Sequence, residues 1–156
     1  MQFELPPSGV TVLELLVEHF RTEQVDDFAC ESCGVRSTCE VSKTVARWPQ
    51  VLVLHVKRFR LTWAGFQKIN KHLFFEELLE SHDFGFTYSL QAVAVHLGRT
   101  LGQGHYVTFV RDSQDQWVLV NDGAPPTVVS FDTVQRAEAY LLVFRLVATP
   151  PVPAAH

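Results

Sequence analysis

Two β-rich runs, Val107-Thr108-Phe109-Val110 and Trp117-Val118-Leu119-Val120, flank the polar stretch Asp112-Ser113-Gln114-Asp115-Gln116, and no other feature constrains the chain as tightly. Runs this close, separated by turn-forming residues, pair as an antiparallel hairpin folded about Ser113 or Gln114. The start of the first strand then lies beside the end of the second. Gly104-His105-Tyr106 stands at one of those ends and Asn121-Asp122 at the other, so the hairpin delivers an imidazole to an amide and a carboxylate. An oxygen that holds one ring nitrogen fixes the tautomer and leaves the other nitrogen to take a proton from a nucleophile. The bland alternatives are a histidine that caps a turn and an Asn-Asp-Gly turn former. The flanking glycine and tyrosine, with Asn121-Asp122 opposite, favour a catalytic role for His105, Asn121 and Asp122.

Other blocks extend the pattern. They are Cys30-Glu31-Ser32-Cys33, the run from Trp48-Pro49 to Lys57-Arg58-Phe59, Tyr88-Ser89-Leu90-Gln91-Ala92-Val93 with His96-Leu97-Gly98, and the closing Ala139-Tyr140-Leu141-Leu142. In this order, with Gly104-His105-Tyr106, Trp117 and Asn121-Asp122, they resemble the ubiquitin-specific proteases, papain-like cysteine deubiquitinases. The resemblance spans residues 3 to 147 and covers the C-terminal half of that catalytic domain. The family box in which the nucleophilic cysteine follows an Asn-Thr pair has no counterpart.

The resemblance implies that His105 is the general base and Asn121 its orienting partner, with Asp122 adding charge from the next position. It implies that Gly102, Gly104 and Tyr106 border the channel for the Gly-Gly terminus of ubiquitin, where a missing Cβ lets backbones approach closely. Gln103, between the two glycines, departs from the family pattern. Ubiquitin and ubiquitinated proteins are the implied partners, together with the missing N-terminal half, and catalysis needs no cofactor. The chain alone is expected to be inactive and, without that half, to expose apolar surface. The alternative reading is a non-catalytic ubiquitin-binding or scaffold protein on the same fold; a third is a small zinc-ribbon module.

Cys30 and Cys33 have the spacing of a zinc knuckle, two thiolates of a tetrahedral site. In the resembling family the partner pair lies upstream, so structural zinc is expected only with those missing ligands. Cys39 and His19 do not fit the spacing rules for completing it. Without metal, Cys30 and Cys33 are reduced thiols in a flexible finger. None of the three cysteines is a good nucleophile for His105. Their odd number disfavours a secreted disulfide framework and favours a reducing cytoplasmic or nuclear setting.

A net charge of -4 with scattered basic residues argues against a nucleic-acid partner. No secretory leader is visible, and the apolar run Val51 to Val56 is too short for a bilayer, so no membrane partner is expected. Thr11 to Glu14 reads as a capping box for a helix over 12 to 20 with Leu13, Leu16, Val17 and Phe20 on its apolar face. Cys39 to Val45 reads as a half-exposed strand, Val51 to Val56 as a central strand buried on both faces with His55 in the core, and Tyr88 to His96 and Tyr140 to Leu146 as further strands. Residues 61 to 81 have no clean period. Lys57-Arg58-Phe59 reads as structural, His96 as a hydrogen-bonded core or rim residue. The class is α+β, mainly antiparallel sheet like the palm of a papain-like protease, with one N-terminal helix, a partial zinc finger, and a loose tail over 148 to 156.

Overall fold

The computed structural model describes residues 1–6, 9–63, 65–100 and 102–148. The tail expected from 148 onward therefore lies outside the described residues, except for Ala148, which ends the last strand. The strands are β1 (Gln2–Glu4), β2 (Val10–Thr11), β3 (Glu23–Ala29), β4 (Arg36–Val41), β5 (Val51–Lys57), β6 (Phe59–Thr62) and β7 (Gly65–Lys68), followed by β8 (Leu73–Phe74), β9 (Leu78–Ser81), β10 (Phe86–Thr100), β11 (Gln103–Arg111), β12 (Trp117–Val120), β13 (Thr127–Val129) and β14 (Ala139–Ala148). The helices are α1 (Val12–His19) and α2 (Phe131–Gln135). The sheet-dominated α+β reading holds, with a second short helix that the sequence reading lacked. Among the described residues no helix is long and apolar enough to cross a membrane.

One sheet in the order β1-β5-β14-β10-β11-β12-β13, with β9 alongside the first part of β10, carries the fold. Within this sheet, among the described residues, the β1–β5 pair is parallel and the others are antiparallel. Period-two alternation buries Leu52, Leu54 and Val56 of β5, Leu142 and Phe144 of β14, Val93 and Val95 of β10, and Val107 and Phe109 of β11. Phe3 and the α1 residues Val12 and Leu15 meet Leu54, Val56 and Leu142, so α1 covers this face at its β5 end.

The opposite face is not covered by the described residues. Val53, Val143, Ala92, Val110, Val118 and Val128 fall in register across six strands, and none is buried. This corrects the expectation for Val51 to Val56: β5 lies second from one edge, Val51 and Val53 are exposed, and His55 sits on the open face with its ring edge-on to Tyr140 at 4.8 Å. Burial pushes the His55 imidazole below its ordinary pKa, and Lys57 and the N-terminal ammonium add to it.

The capping box forms, with Thr11 Oγ1 accepting from Glu14 N at 3.2 Å and Glu14 Oε2 accepting from Thr11 N at 2.7 Å. The helix is rotated from its expected face, however. Val12, Leu15 and Leu16 are buried, Leu13 and Phe20 are half-buried, and Val17 is 52% exposed. Strand β4 stops at Val41, so Lys43 and Val45 are not part of it.

Lys57-Arg58-Phe59 is structural for a specific reason. Arg58 is 1% exposed, and its guanidinium donates from Nε to the Ala139 carbonyl at 2.6 Å and from one terminal nitrogen to the carbonyls of Ile69 (3.1 Å) and Lys71 (2.7 Å). It ties β14 to the segment between β7 and β8, which is otherwise irregular.

Candidate active site

The hairpin folds about Gln114. Thr108 pairs with Val120, Phe109 with Leu119, Val110 with Val118 and Arg111 with Trp117. Asp112 shapes the turn, its carboxylate accepting from the amides of Gln114 at 2.9 Å and Gln116 at 2.8 Å. The turn end is fastened to the sheet by Glu77, whose Oε1 accepts from Trp117 Nε1 at 2.7 Å and from Arg111 at 3.3 Å. Trp117 is buried, and the Arg111 guanidinium lies 5.7 Å from its ring centroid.

At the open end the ladder stops at Val120, and a turn closed by Ala124 N donating to Asn121 O at 2.9 Å swings Asn121 and Asp122 over His105. Asp122 adopts φ +39°, a left-handed conformation that costs free energy for any residue but glycine. The turn brings both side chains onto the same imidazole. Asn121 Oδ1 is hydrogen-bonded to His105 Nε2, and Asp122 Oδ2 lies 3.4 Å from Nδ1. A carbonyl oxygen only accepts, so Nε2 carries the hydrogen and, in the neutral ring, Nδ1 is the basic atom. Protonation of Nδ1 would place a positive ring beside the Asp122 carboxylate. His105 itself is only part-buried. All three predicted polar residues are thus brought together.

Gly104 and Tyr106 lie at the start of β11 and Gly102 just before it, with different surroundings. A Cβ on Gly102 would meet nothing within 4 Å, whereas one on Gly104 would fall 2.1 Å from Nε2 of His96. Tyr106 is half exposed, its ring 4.8 Å from that of His96 and 5.8 Å from that of Tyr140. Nearby, the β6–β7 hairpin forms one wall of a cleft of about 700 Å³, with Trp63, Phe66 and Lys68 on that side and Gly98 and Glu138 across it. Lys68, its side chain largely covered, is paired with Glu138 at 3.0 Å and donates to the His96 carbonyl at 2.9 Å. Sequence reasoning missed Lys68, Glu138 and Glu77. Lys68 lies in an acid-free stretch from Lys57 to Phe75, so nothing local in the sequence pairs it with Glu138.

Strands β3 and β4 form an exposed finger, paired from Glu23–Val41 to Ala29–Arg36, with Cys30 and Cys33 at its tip. The tip is a tight turn in which Gly34 N donates to Cys30 O at 2.8 Å and Cys30 N to Val35 O at 3.0 Å, with Gly34 at φ +69°. The amides of Cys33 and Ser32 point at the Cys30 sulfur and hold its thiol below the ordinary pKa. Two adjacent thiols in such a turn fit half of a tetrahedral zinc site. Among the described residues no third His, Cys, Asp or Glu joins them, Cys39 sitting opposite Val25 in the ladder and His19 packing between Phe3 and Phe20. The finger is therefore not a complete zinc site from this chain's described residues. A consequence is measurable without metal: at neutral pH Cys30 alkylates faster than Cys33 or Cys39, read by mass spectrometry of a short iodoacetamide pulse, and equal rates would contradict the turn geometry.

A mainly antiparallel sheet carrying an imidazole beside an amide is the arrangement expected of the papain-like deubiquitinases. Comparison with solved structures agrees: the fold matches a chain of the yeast SAGA DUBm with a TM-score of 0.81 at 24% identity, covering 95% of this chain and 35% of that one. It matches a chain of the SAGA DUB module bound to monoubiquitin equally well, with a TM-score of 0.81 at 25% identity and the same coverage. In sequence, the family model "Ubiquitin carboxyl-terminal hydrolase" matches residues 10–144, and the chain belongs to that family as a ubiquitin-specific protease member. Relatives include ubiquitin carboxyl-terminal hydrolase 44 of Ailuropoda melanoleuca, 32% identical over 85% of this chain, and ubiquitin hydrolase B of Dictyostelium discoideum, 29% identical over 94%. The chain spans 22% and 34% of those two proteins' lengths.

Proposed function

We propose that this chain supplies the base and its orienting partner for the hydrolysis of the bond after the C-terminal glycine of ubiquitin. The thiolate comes from a part of the protease outside these residues. The contact of His105 Nε2 with Asn121, which leaves Nδ1 open beside Asp122, carries this reading. In the reaction a cysteine thiol loses its proton to Nδ1 and attacks the glycine carbonyl. The imidazolium that forms is steadied by Asn121 at Nε2 and by the Asp122 carboxylate. It then returns the proton to the departing lysine amine, and water, deprotonated by the same nitrogen, hydrolyses the thioester. Gly102, Gly104 and Tyr106 border the path of the Gly-Gly terminus toward His105, with the Trp63–Glu138 cleft beside it. Ubiquitin and its conjugates are the partners, the setting is cytoplasmic or nuclear, and zinc enters only as a structural ion completed by further thiolates.

The chain's own cysteines all lie in or beside the finger, away from the hairpin, which supports a nucleophile supplied from elsewhere. The 156-residue chain is accordingly expected to leave a ubiquitin-fluorophore substrate uncleaved and to resist a ubiquitin electrophile, while shifting amide signals of isotope-labelled ubiquitin in an NMR titration. Labelling that disappears on Cys39→Ser would overturn the assignment of the nucleophile. Unshifted ubiquitin signals would overturn the substrate.

A further inference from the structure

We propose that His96 is a positioning residue for His105, acting through Gly104; this deepens the base assignment above and rests on it. His96 is only 2% exposed. It lies on β10 in register with Tyr106, one pair away from the Leu97–His105 pair and just before the register breaks between Leu97 and Thr100. Between the Leu97–His105 and Thr100–Gln103 pairs, Gly104 has no cross-strand partner in the register, so the ladder leaves its position to be set by side-chain packing.

The His96 ring takes over that task. A Cβ at Gly104 would lie 2.1 Å from its Nε2, 2.6 Å from Cε1 and 3.0 Å from Cδ2, so the Gly104 Cα rests directly on the ring. A Cβ at Gly98 would lie 2.9 Å from Cε1 and 2.5 Å from the Gln103 carbonyl. The imidazole is thus wedged under the loop, in contact with both its flanking glycines. Glycine is the least restricted residue, so a Gly immediately before a catalytic side chain leaves that side chain free to wander unless something outside the backbone blocks it. Here the block is the face of His96.

The wedge is itself well held. Its ring stands edge-on to Phe59 at 5.4 Å and is tilted against Tyr106 at 4.8 Å and Tyr140 at 6.5 Å. Its backbone carbonyl accepts from Lys68 Nζ at 2.9 Å, and Lys68 is fixed in turn by Glu138 at 3.0 Å. Nδ1 of His96 is buried and has no hydrogen-bond partner among the described residues. Its role is mechanical: it sets where Gly104 sits and therefore how His105 meets Asn121.

The test uses the 156-residue chain and the ring-nitrogen NMR signals of His105, which report tautomer and hydrogen bonding and do not respond to small losses of stability alone. In the wild-type chain a single Nε2–H form is expected. In His96→Ala it gives way to a mixture of tautomers, while the amide signals of Phe109 and Leu119, deeper in the same hairpin, stay in place. Gly104→Ala is expected to disturb His105 similarly and to lower the melting temperature by roughly 5 °C, but by less than about 1 °C when His96→Ala has removed the ring, a coupling between the two sites. A folded His96→Ala chain with unchanged His105 signals overturns the proposal. If that variant does not fold, Gly104→Ala decides: unchanged His105 signals overturn the proposal and a tautomer mixture supports it. A wild-type chain that already shows a mixture would instead overturn the base assignment on which the proposal rests.

Discussion

Glutamine in place of His105, in a protein that joins this domain to a nucleophilic cysteine, lowers kcat on a ubiquitin-fluorophore substrate about 10⁴-fold with KM little changed. The side chain is similar in reach, but its amide cannot take a proton from a thiol at the position of Nδ1. The interaction lost exists only along the reaction path, which is why the effect falls on kcat. Asn121 and Asp122 grade the same account. Asn121→Asp keeps an acceptor at Nε2 and retains most activity. Asn121→Ala frees the ring and costs on the order of 10²-fold, smaller than loss of the base because Asp122 still faces Nδ1 at 3.4 Å. A His105→Gln enzyme within tenfold of the parent would mean that the proton is taken elsewhere. Cleavage should be followed at more than one substrate concentration, so that kcat and KM are separated.

The largest effect on stability is expected at Arg58. Its guanidinium is buried and donates to three carbonyls contributed by Ala139, Ile69 and Lys71. Burial lowers its pKa and Glu138 opposes that, consistent with a cation held by backbone oxygens without a direct carboxylate partner. Arg58→Met fills much of the volume but leaves the buried Ala139 carbonyl without its donor and breaks the two part-buried bonds to Ile69 and Lys71, at a cost of about 3–5 kcal/mol, a large part of the roughly 5–15 kcal/mol that holds a domain of this size together. Arg58→Lys does not restore it, because a single ammonium on an unbranched stem cannot serve β14 and the β7–β8 segment at once. Urea unfolding followed by circular dichroism is expected to show a midpoint lowered by about 2 M for either variant, given slopes near 2 kcal/mol per M. An unchanged midpoint would mean that the three bonds contribute nothing net.

What the sequence made legible was local. The hairpin could be folded by eye because its turn residues and two alternating runs are contiguous, and that brought His105 to the same end as Asn121 and Asp122; the turn closed by Ala124 N on Asn121 O then carries the two side chains onto the ring. The capping box was equally plain, since Thr11 and Glu14 are three positions apart. The face of α1 was not, because an eight-residue helix carrying Val12, Leu13, Leu15, Leu16 and Val17 offers two apolar stripes and only the sheet beneath chooses between them. Val51 to Val56 misled for a related reason. The uncovered face of the sheet is itself lined with valine and alanine, so a strand covered on one side reads as if covered on both.

Support for the site was out of reach for a different reason. Glu77 reaches Trp117 across 40 positions, Lys68 reaches the His96 carbonyl across 28, and Arg58 reaches Ala139 across 81. No periodicity links such pairs, and only the sheet order brings them together. The same holds for Gly104, which a motif explains by substrate passage and the structure explains by the ring of His96 packed against it.

The most direct test of the whole account is the protonation map of one ring. At alkaline pH, with ring nitrogens labelled, His105 is expected to show hydrogen on Nε2 alone, with a bare Nδ1 and through-space contact to the Asn121 amide, and to lose that single form in Asn121→Ala. A tautomer mixture in the parent chain that Asn121→Ala leaves untouched would contradict the claim that this hairpin is built to hold a base.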